Sequence, residues 1–205
     1  EAYDVLVMAP GASPVKPRSI GGIDGKNVYT VRNVADIVHL KDGLEAAGAE
    51  NTAVIGGGFI GIEVAENLAK AGKKVTVVEA MSQILAPFDY DMVQMLHKEL
   101  LDNGVSLIVD DGVKTIEEKQ ITLASGKTVP ADAVILAIGV APETGLAKAA
   151  GLEIGETGGI LVDHNYRTSD KNIYAVGDAI EVFDRMTGKP SRLALAGPAL
   201  RQARA

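Results

Sequence analysis

Gly56, Gly58, Gly61 and Glu79 are the residues whose types and spacing point to chemistry first. They sit in one stretch, residues 53–79: an apolar strand, a Gly56-x-Gly58-x-x-Gly61 turn, an amphipathic helix, a second apolar strand, and the carboxylate of Glu79 at its end. A bare glycine triplet is weak evidence, but strand, turn, helix, strand and acid in this order are what a dinucleotide site requires. Gly56 permits the tight turn from strand to helix, and Gly58 lets the backbone approach a pyrophosphate with no Cβ between them. Gly61 lets the helix lie close on the sheet. The free N–H groups at the helix start, with the positive end of its dipole, are suited to hold phosphate. Glu79 can accept hydrogen bonds from ribose hydroxyls and would repel a 2′-phosphate. Residues 80–83 (Ala-Met-Ser-Gln) offer no Arg or Lys for that phosphate, so NADH is expected over NADPH. The rival reading is a glycine turn that only packs a strand–helix–strand unit.

These residues belong to a chain of 205 residues with a formal net charge of −7 and a hydrophobic fraction of 47%, which is ordinary for a globular protein. The negative balance and scattered basic residues argue against a nucleic-acid surface. No apolar run approaches the ~20 residues that cross a bilayer, and no signal-peptide pattern is present. Neither nucleic acid nor membrane is therefore an expected partner, and a cytoplasmic setting is expected. There is no cysteine, which excludes disulfides, thiolate catalysis and cysteine metal ligands within these residues. His39, His97 and His164 are far apart and form no ligand motif, so no metal is expected and each is read as solvated or packed.

The elements that must position the turn follow from the pattern. Val5–Ala9 is a continuous apolar run, as a buried parallel strand would be, and residues 10–14 (Pro-Gly-Ala-Ser-Pro) read as turn or loop. A helix is expected over 33–48. Another should begin near Asp89 as N-cap, with Val93, Leu96 and Leu100 as its buried stripe and Gly104 as its stop; Met92 and Met95 are expected to fill core. Strands are expected at 105–109, 113–117 and 120–123, the last two as part of an antiparallel meander, and at 132–138. Further strands at 159–162 and 173–176 do not fit this central unit. With the opening strand they imply a second sheet that the central unit interrupts. The expected fold is α/β: a Rossmann-like domain with a parallel sheet and a meander, inserted in part of a second α/β domain.

Four motifs in the right order resemble the pyridine nucleotide–disulfide oxidoreductases, two-dinucleotide flavoenzymes. They are Val5–Gly11, the glycine turn at 56–61, Ala137–Pro142, and Thr168–Asp178 with its Ile-Tyr-Ala-Val-Gly-Asp ending. Ala9-Pro10-Gly11 stands where the family usually has Ala-Thr-Gly, and Ala141-Pro142-Glu143 where many members have Arg-Pro-Asn. The tail at 193–204, with Ala196-Gly197-Pro198 opening a helix, is similar to CoA-disulfide reductases, NADH oxidases and NADH peroxidases. The resemblance implies domains at 1–32 and 144–205 (partial FAD-binding) and 33–143 (NAD-binding). It implies NAD contacts at Gly56, Gly58, Phe59, Ile60, Gly61, Glu79 and Gly139, and FAD contacts at Ala9, Gly11, Gly177, Asp178 and Ala196. Phe59 would cover the flavin face where nicotinamide docks, and Glu63, one helical turn on, would lie near the flavin. A solvated Phe59–Glu63 face remains the alternative.

A complete member needs a second glycine fingerprint and, in many cases, a redox cysteine. Neither is present here, so the chain is expected to be an internal piece with no catalytic residue of its own, and to bind NADH weakly at best. The implied parent passes hydride from NADH to FAD and then electrons to a small-molecule disulfide, peroxide or oxygen, as a homodimer. Two alternatives stay open: an electron-transfer component like ferredoxin or nitrite reductases, and a non-catalytic NAD-binding module.

Overall fold

A computed structural model describes residues 2–205; Glu1, the start of the first expected domain piece, lies outside them. The chain divides into two compact units. One is Pro14–Gly139, and the other comprises the chain up to Ser13 with Val140–Ala205.

The chain opens with β1 (Leu6–Met8) and β2 (Ala12–Pro14), whose last residue begins the central unit. There follow β3 (Val28–Thr30), α1 (Val34–Ala46), β4 (Asn51–Ile55), α2 (Phe59–Lys70), β5 (Lys74–Val78), α3 (Tyr90–Asp102), β6 (Ser106–Ile108), β7 (Val113–Ile116), β8 (Gln120–Leu123), β9 (Thr128–Pro130) and β10 (Ala133–Leu136). Five of these strands form a parallel sheet in the order β3-β10-β4-β5-β6. The expected domain start at residue 33 thus differs from the unit found, because β3 pairs in register with β10 (Val28 with Val134, Thr30 with Leu136).

Alternation along these strands explains the two layers. Val54, Val77 and Ile135 face α1, α2 and α3 with Leu40, Leu44, Leu68, Val93 and Leu100. Ala53, Ile55, Val78, Val134 and Leu136 face the antiparallel meander β7-β8-β9, whose Ile116, Ile121, Leu123 and Val129 close that side. A parallel sheet covered on both faces needs strands apolar on both, which is why these read as continuous runs.

The helices start as their sequences allow. Asn33 caps α1, its side chain accepting the Asp36 N–H at 3.0 Å while the Asp36 carboxylate accepts the Asn33 N–H at 3.3 Å, a reciprocal capping box. Asp89 is the N-cap of α3, as expected, but its side chain makes no capping hydrogen bond. Met92 and Met95 correct the expectation of core filling: they are 53% and 70% exposed. Val93, Leu96 and Leu100 occupy the sheet-facing stripe of α3, and each methionine precedes a stripe position and so falls off it.

Asp132 ties the lower edge of the sheet together. Its carboxylate accepts from the Asn51 N–H (2.9 Å), the Glu50 N–H (3.1 Å), Asn51 Nδ2 (3.2 Å) and Lys119 Nζ (3.3 Å). The Asn51 backbone N–H is the main reason its pKa falls from 3.8 to about 2. The folded pKa lies below the unfolded one, so this stabilisation is fully present above about pH 4 and is lost as pH falls toward 2. Replacing Asp132 by Asn is expected to lower stability at neutral pH by about 2 kcal/mol. Urea unfolding from neutral to acid pH should show the variant with a flatter pH dependence below about pH 4.

The return of the outer unit comprises β11 (Val140–Pro142), α4 (Gly145–Ala149), β12 (Ile160–Leu161), β13 (Ile173–Ala175), β14 (Ile180–Asp184), β15 (Lys189–Ser191) and α5 (Ala196–Gln202). The segment 12–14, expected as loop, is instead a strand paired with β11; its turn-forming composition hid a short extended ribbon. β1 and β13 form a two-stranded parallel pair, with Leu6 opposite Ile173 and Met8 opposite Ala175. Met8 is buried, but Val5 and Val7 are each 60% exposed, against the expectation of a fully buried strand. A lone parallel pair leaves one of its faces uncovered.

Candidate functional site

The turn after β4 is built by close backbone approach. Gly56 has φ 103°, and a Cβ there would lie 2.4 Å from the Ala137 carbonyl oxygen. A Cβ on Gly61 would lie 2.0 Å from the Gly56 carbonyl oxygen. Gly61 therefore seats α2 on the turn itself. Gly58 differs from both: it is the N-cap of α2 with φ −77° and ψ −176°, extended backbone open to any residue. A Cβ there would meet nothing within 4 Å. The fold makes no demand for glycine at 58, so the open space beside it is available to a ligand.

No side chain caps α2. Its first N–H groups, those of Phe59, Ile60 and Gly61, thus lack intrahelical acceptors and open onto that space. With the positive end of the helix dipole they form an anion site. Gly57, between the two glycines, is gripped from outside. Its N–H donates to Glu79 Oε2 at 2.7 Å and its carbonyl accepts the Leu85 N–H at 2.8 Å. The fully buried Ile84 packs where a Gly57 side chain would begin.

Glu79 follows the last residue of β5, and its other oxygen, Oε1, accepts the Met81 N–H at 2.8 Å. The carboxylate expected to stand open for a ribose thus already holds two backbone donors, with acceptor capacity left on each oxygen. A cleft of about 230 Å³ adjoins it, lined by Ile55, Gly56, Val78, Glu79, Ala80 and Gly112 among others.

Phe59 begins α2 and is 55% exposed, its ring edge-on to Phe88 with centroids 6.1 Å apart. Glu63 is exposed one turn later, and both, with Ile60, line a groove of about 790 Å³ against Ile37 and Leu40 of α1. Farther along the helix Lys70 pairs with Glu66. Gly139 ends the run after β10, with φ 105°, and accepts the Val15 N–H at 3.0 Å.

In the outer unit β13 delivers Gly177 and Asp178 into a 3-10 turn at Gly177–Ala179. The Val176 N–H donates to Met8 O at 3.0 Å, which anchors the turn to β1, the strand that leads to Ala9 and Gly11. The Asp178 carboxylate is half-buried and takes no hydrogen bond or ion pair from the described residues. Ala196 is the first residue of α5 and is exposed. Sequence reasoning missed Gln202. Its buried side chain reaches back from α5 to accept the Gly177 N–H at 2.7 Å, and no local signal marks a glutamine for that task.

Three further ionisable groups have structural partners. Buried Glu181 accepts from the N–H and the Oγ1 of Thr157 (2.5 and 2.7 Å). His39 stacks obliquely on Tyr29, and His97 accepts the Ile84 N–H at 3.4 Å with its pKa lowered by burial. Among the described residues no cluster could hold a metal ion, and no helix is long and apolar enough to cross a membrane.

The sequence profile of the pyridine nucleotide-disulphide oxidoreductase family matches residues 1–203. The chain is 38% identical over 204 residues to the NADH oxidase of Methanocaldococcus jannaschii, covering 98% of this chain and 45% of that one. It is 38% identical over 202 residues to the CoA-dependent NAD(P)H sulfur oxidoreductase of Pyrococcus abyssi, covering 96% and 44%. The reduced CoADR-RHD of Bacillus anthracis superimposes with a TM-score of 0.95 at 46% identity, covering 100% of this chain and 37% of that one. The chain thus spans a little under half the length of the curated relatives it matches. It belongs to the pyridine nucleotide-disulphide oxidoreductase family.

Proposed function

We propose that this chain is the NAD-binding portion, with flanking parts of the FAD-binding portion, of an NADH-dependent flavoprotein oxidoreductase. The whole protein is read as a cytoplasmic homodimer that passes electrons from NADH through FAD to a small-molecule disulfide such as CoA disulfide, to peroxide or to oxygen. Its relatives include an NADH oxidase and a CoA-dependent sulfur oxidoreductase. The observation that carries the reading is the space beside Gly58: a glycine the fold does not need, at an uncapped helix start.

The residues present fit both cofactors. Gly58 and the N–H groups of Phe59, Ile60 and Gly61 would hold a pyrophosphate, and Glu79 the adenosine ribose. Gly139 would border the nicotinamide half, with Phe59 as its gate and Glu63 beside it. Asp178, with Gly177 and the Ala9–Gly11 turn, would hold the FAD ribityl and phosphate groups, and Ala196 would approach the flavin ring. When bound, the cofactors supply the hydride and electron chemistry; the protein contributes binding and orientation. Val5 and Val7 are the surface that the remainder of a flavin domain would cover.

Fluorescence titration of the chain with NADH and NADPH tests the nucleotide half of this reading. NADH is expected to bind at least about tenfold more tightly, since a 2′-phosphate loses a hydrogen bond to Glu79 and meets its charge. Tighter NADPH binding would overturn the assignment of Glu79.

A further inference from the structure

We infer that Glu79 is a positioning residue for the phosphate-binding turn as well as the reader of the ribose, an inference that rests on the nucleotide site proposed above. A carboxylate offers about four acceptor sites over its two oxygens. Two are filled from the chain's own backbone, by the Gly57 N–H on Oε2 at 2.7 Å and the Met81 N–H on Oε1 at 2.8 Å. One site remains on each oxygen, and a ribose diol brings two donors. The same carboxylate is therefore shared by the glycine turn, the loop after β5 and the ligand.

The turn has a reason to need this. Residues 56–58 are all glycine, so no side chain within the turn restrains its backbone. Restraint comes from outside, and at Gly57 from three neighbours: the Glu79 carboxylate on the N–H, the Leu85 N–H on the carbonyl, and Ile84 filling the space where a side chain would begin. Of the three, only Glu79 is charged and has acceptor capacity to spare.

The consequence is that Glu79 is more than a charge filter. Glu79→Gln keeps the shape but puts an NH₂ donor where one backbone N–H now finds an oxygen. Its loss of charge should relieve the repulsion of a 2′-phosphate, yet the turn that must hold the phosphates of either nucleotide becomes loose. The variant should bind NAD⁺ and NADP⁺ both more weakly, rather than exchange one preference for the other.

Two measurements on the intact protein test this: hydrogen exchange at single amides, read by fragmentation mass spectrometry, and affinities for NAD⁺ and NADP⁺. In the nucleotide-free protein the Gly57 and Met81 amides should exchange about tenfold or more slowly than the uncapped amides of Phe59 and Ile60. Glu79→Gln should speed at least one of the two amides about tenfold, the factor that follows from one lost charged hydrogen bond, and weaken both nucleotides about as much. Glu79→Asp, which keeps two oxygens on a shorter stem, should fall between, and the unmodified protein tests the protection without any variant. Unprotected Gly57 in a protein that binds NAD⁺ overturns the role given to Glu79. So does a Glu79→Gln protein with unchanged exchange and NADP⁺ binding raised to match NAD⁺. Failure of the unmodified protein to bind either nucleotide overturns the site itself.

Discussion

Gly58→Ala is expected to leave the chain folded and to weaken NADH binding about a hundredfold or more. The backbone at 58 is extended and suits alanine, and a new methyl meets no atom within 4 Å. Alanine is a poorer N-cap than glycine, so stability should fall by no more than about 1 kcal/mol. The methyl would stand in the space where a pyrophosphate must approach the Phe59 and Ile60 N–H groups. A hundredfold loss corresponds to about 2.7 kcal/mol, the scale expected when a charged ligand is pushed off its hydrogen-bond donors. Thermal unfolding and NADH titration on the same preparation separate the two effects. Unchanged affinity would remove the open space beside Gly58 as the ground for a nucleotide site.

Gly61→Ala is expected to do the reverse, breaking the fold before it touches a ligand. Helix propensity alone would make alanine about 1 kcal/mol better than glycine inside α2. Geometry decides otherwise: the added Cβ would sit 2.0 Å from the Gly56 carbonyl oxygen and 3.3 Å from the Ala137 Cβ. Neither neighbour is a flexible side-chain end. The helix must lift off the turn, and the loss should be about 3 kcal/mol or more. Urea unfolding of the two variants side by side is the check: one fingerprint glycine serves the ligand and the other serves packing, so their effects on stability should differ by at least about 2 kcal/mol.

Much of this was legible because the chemistry is local. The turn at 56–61, its flanking strands and Glu79 lie within one strand–helix–strand unit, where periodicity and glycine placement read directly. Val134–Leu136 and Val75–Val78 are strands buried on both faces and announce themselves as apolar runs. The expected boundary at residue 33 leaves residues 28–30 outside the central unit because β10, the strand they pair with, lies about a hundred residues downstream, and parallel pairing leaves no local trace. β2 was hidden by two prolines and a glycine, which mark turns far more often than ribbons. The role of Glu79 was half legible: its position after β5 could be read, but not the Gly57 and Met81 N–H groups already on it. Ile84, Leu85, Phe88 and Gln202 were silent for the same reason. Their tasks are contacts across loops and between elements, which sequence spacing does not encode. Met92 and Met95 show the limit of residue type, since helical phase put them outside the core.

The most direct test of the central claim is an anaerobic titration of the full-length protein with NADH, followed in the visible spectrum. A bound flavin is expected whose yellow absorbance bleaches with close to one equivalent of NADH, and more slowly with NADPH. A protein that carries no flavin, or one whose flavin stays oxidised in excess NADH, would contradict it.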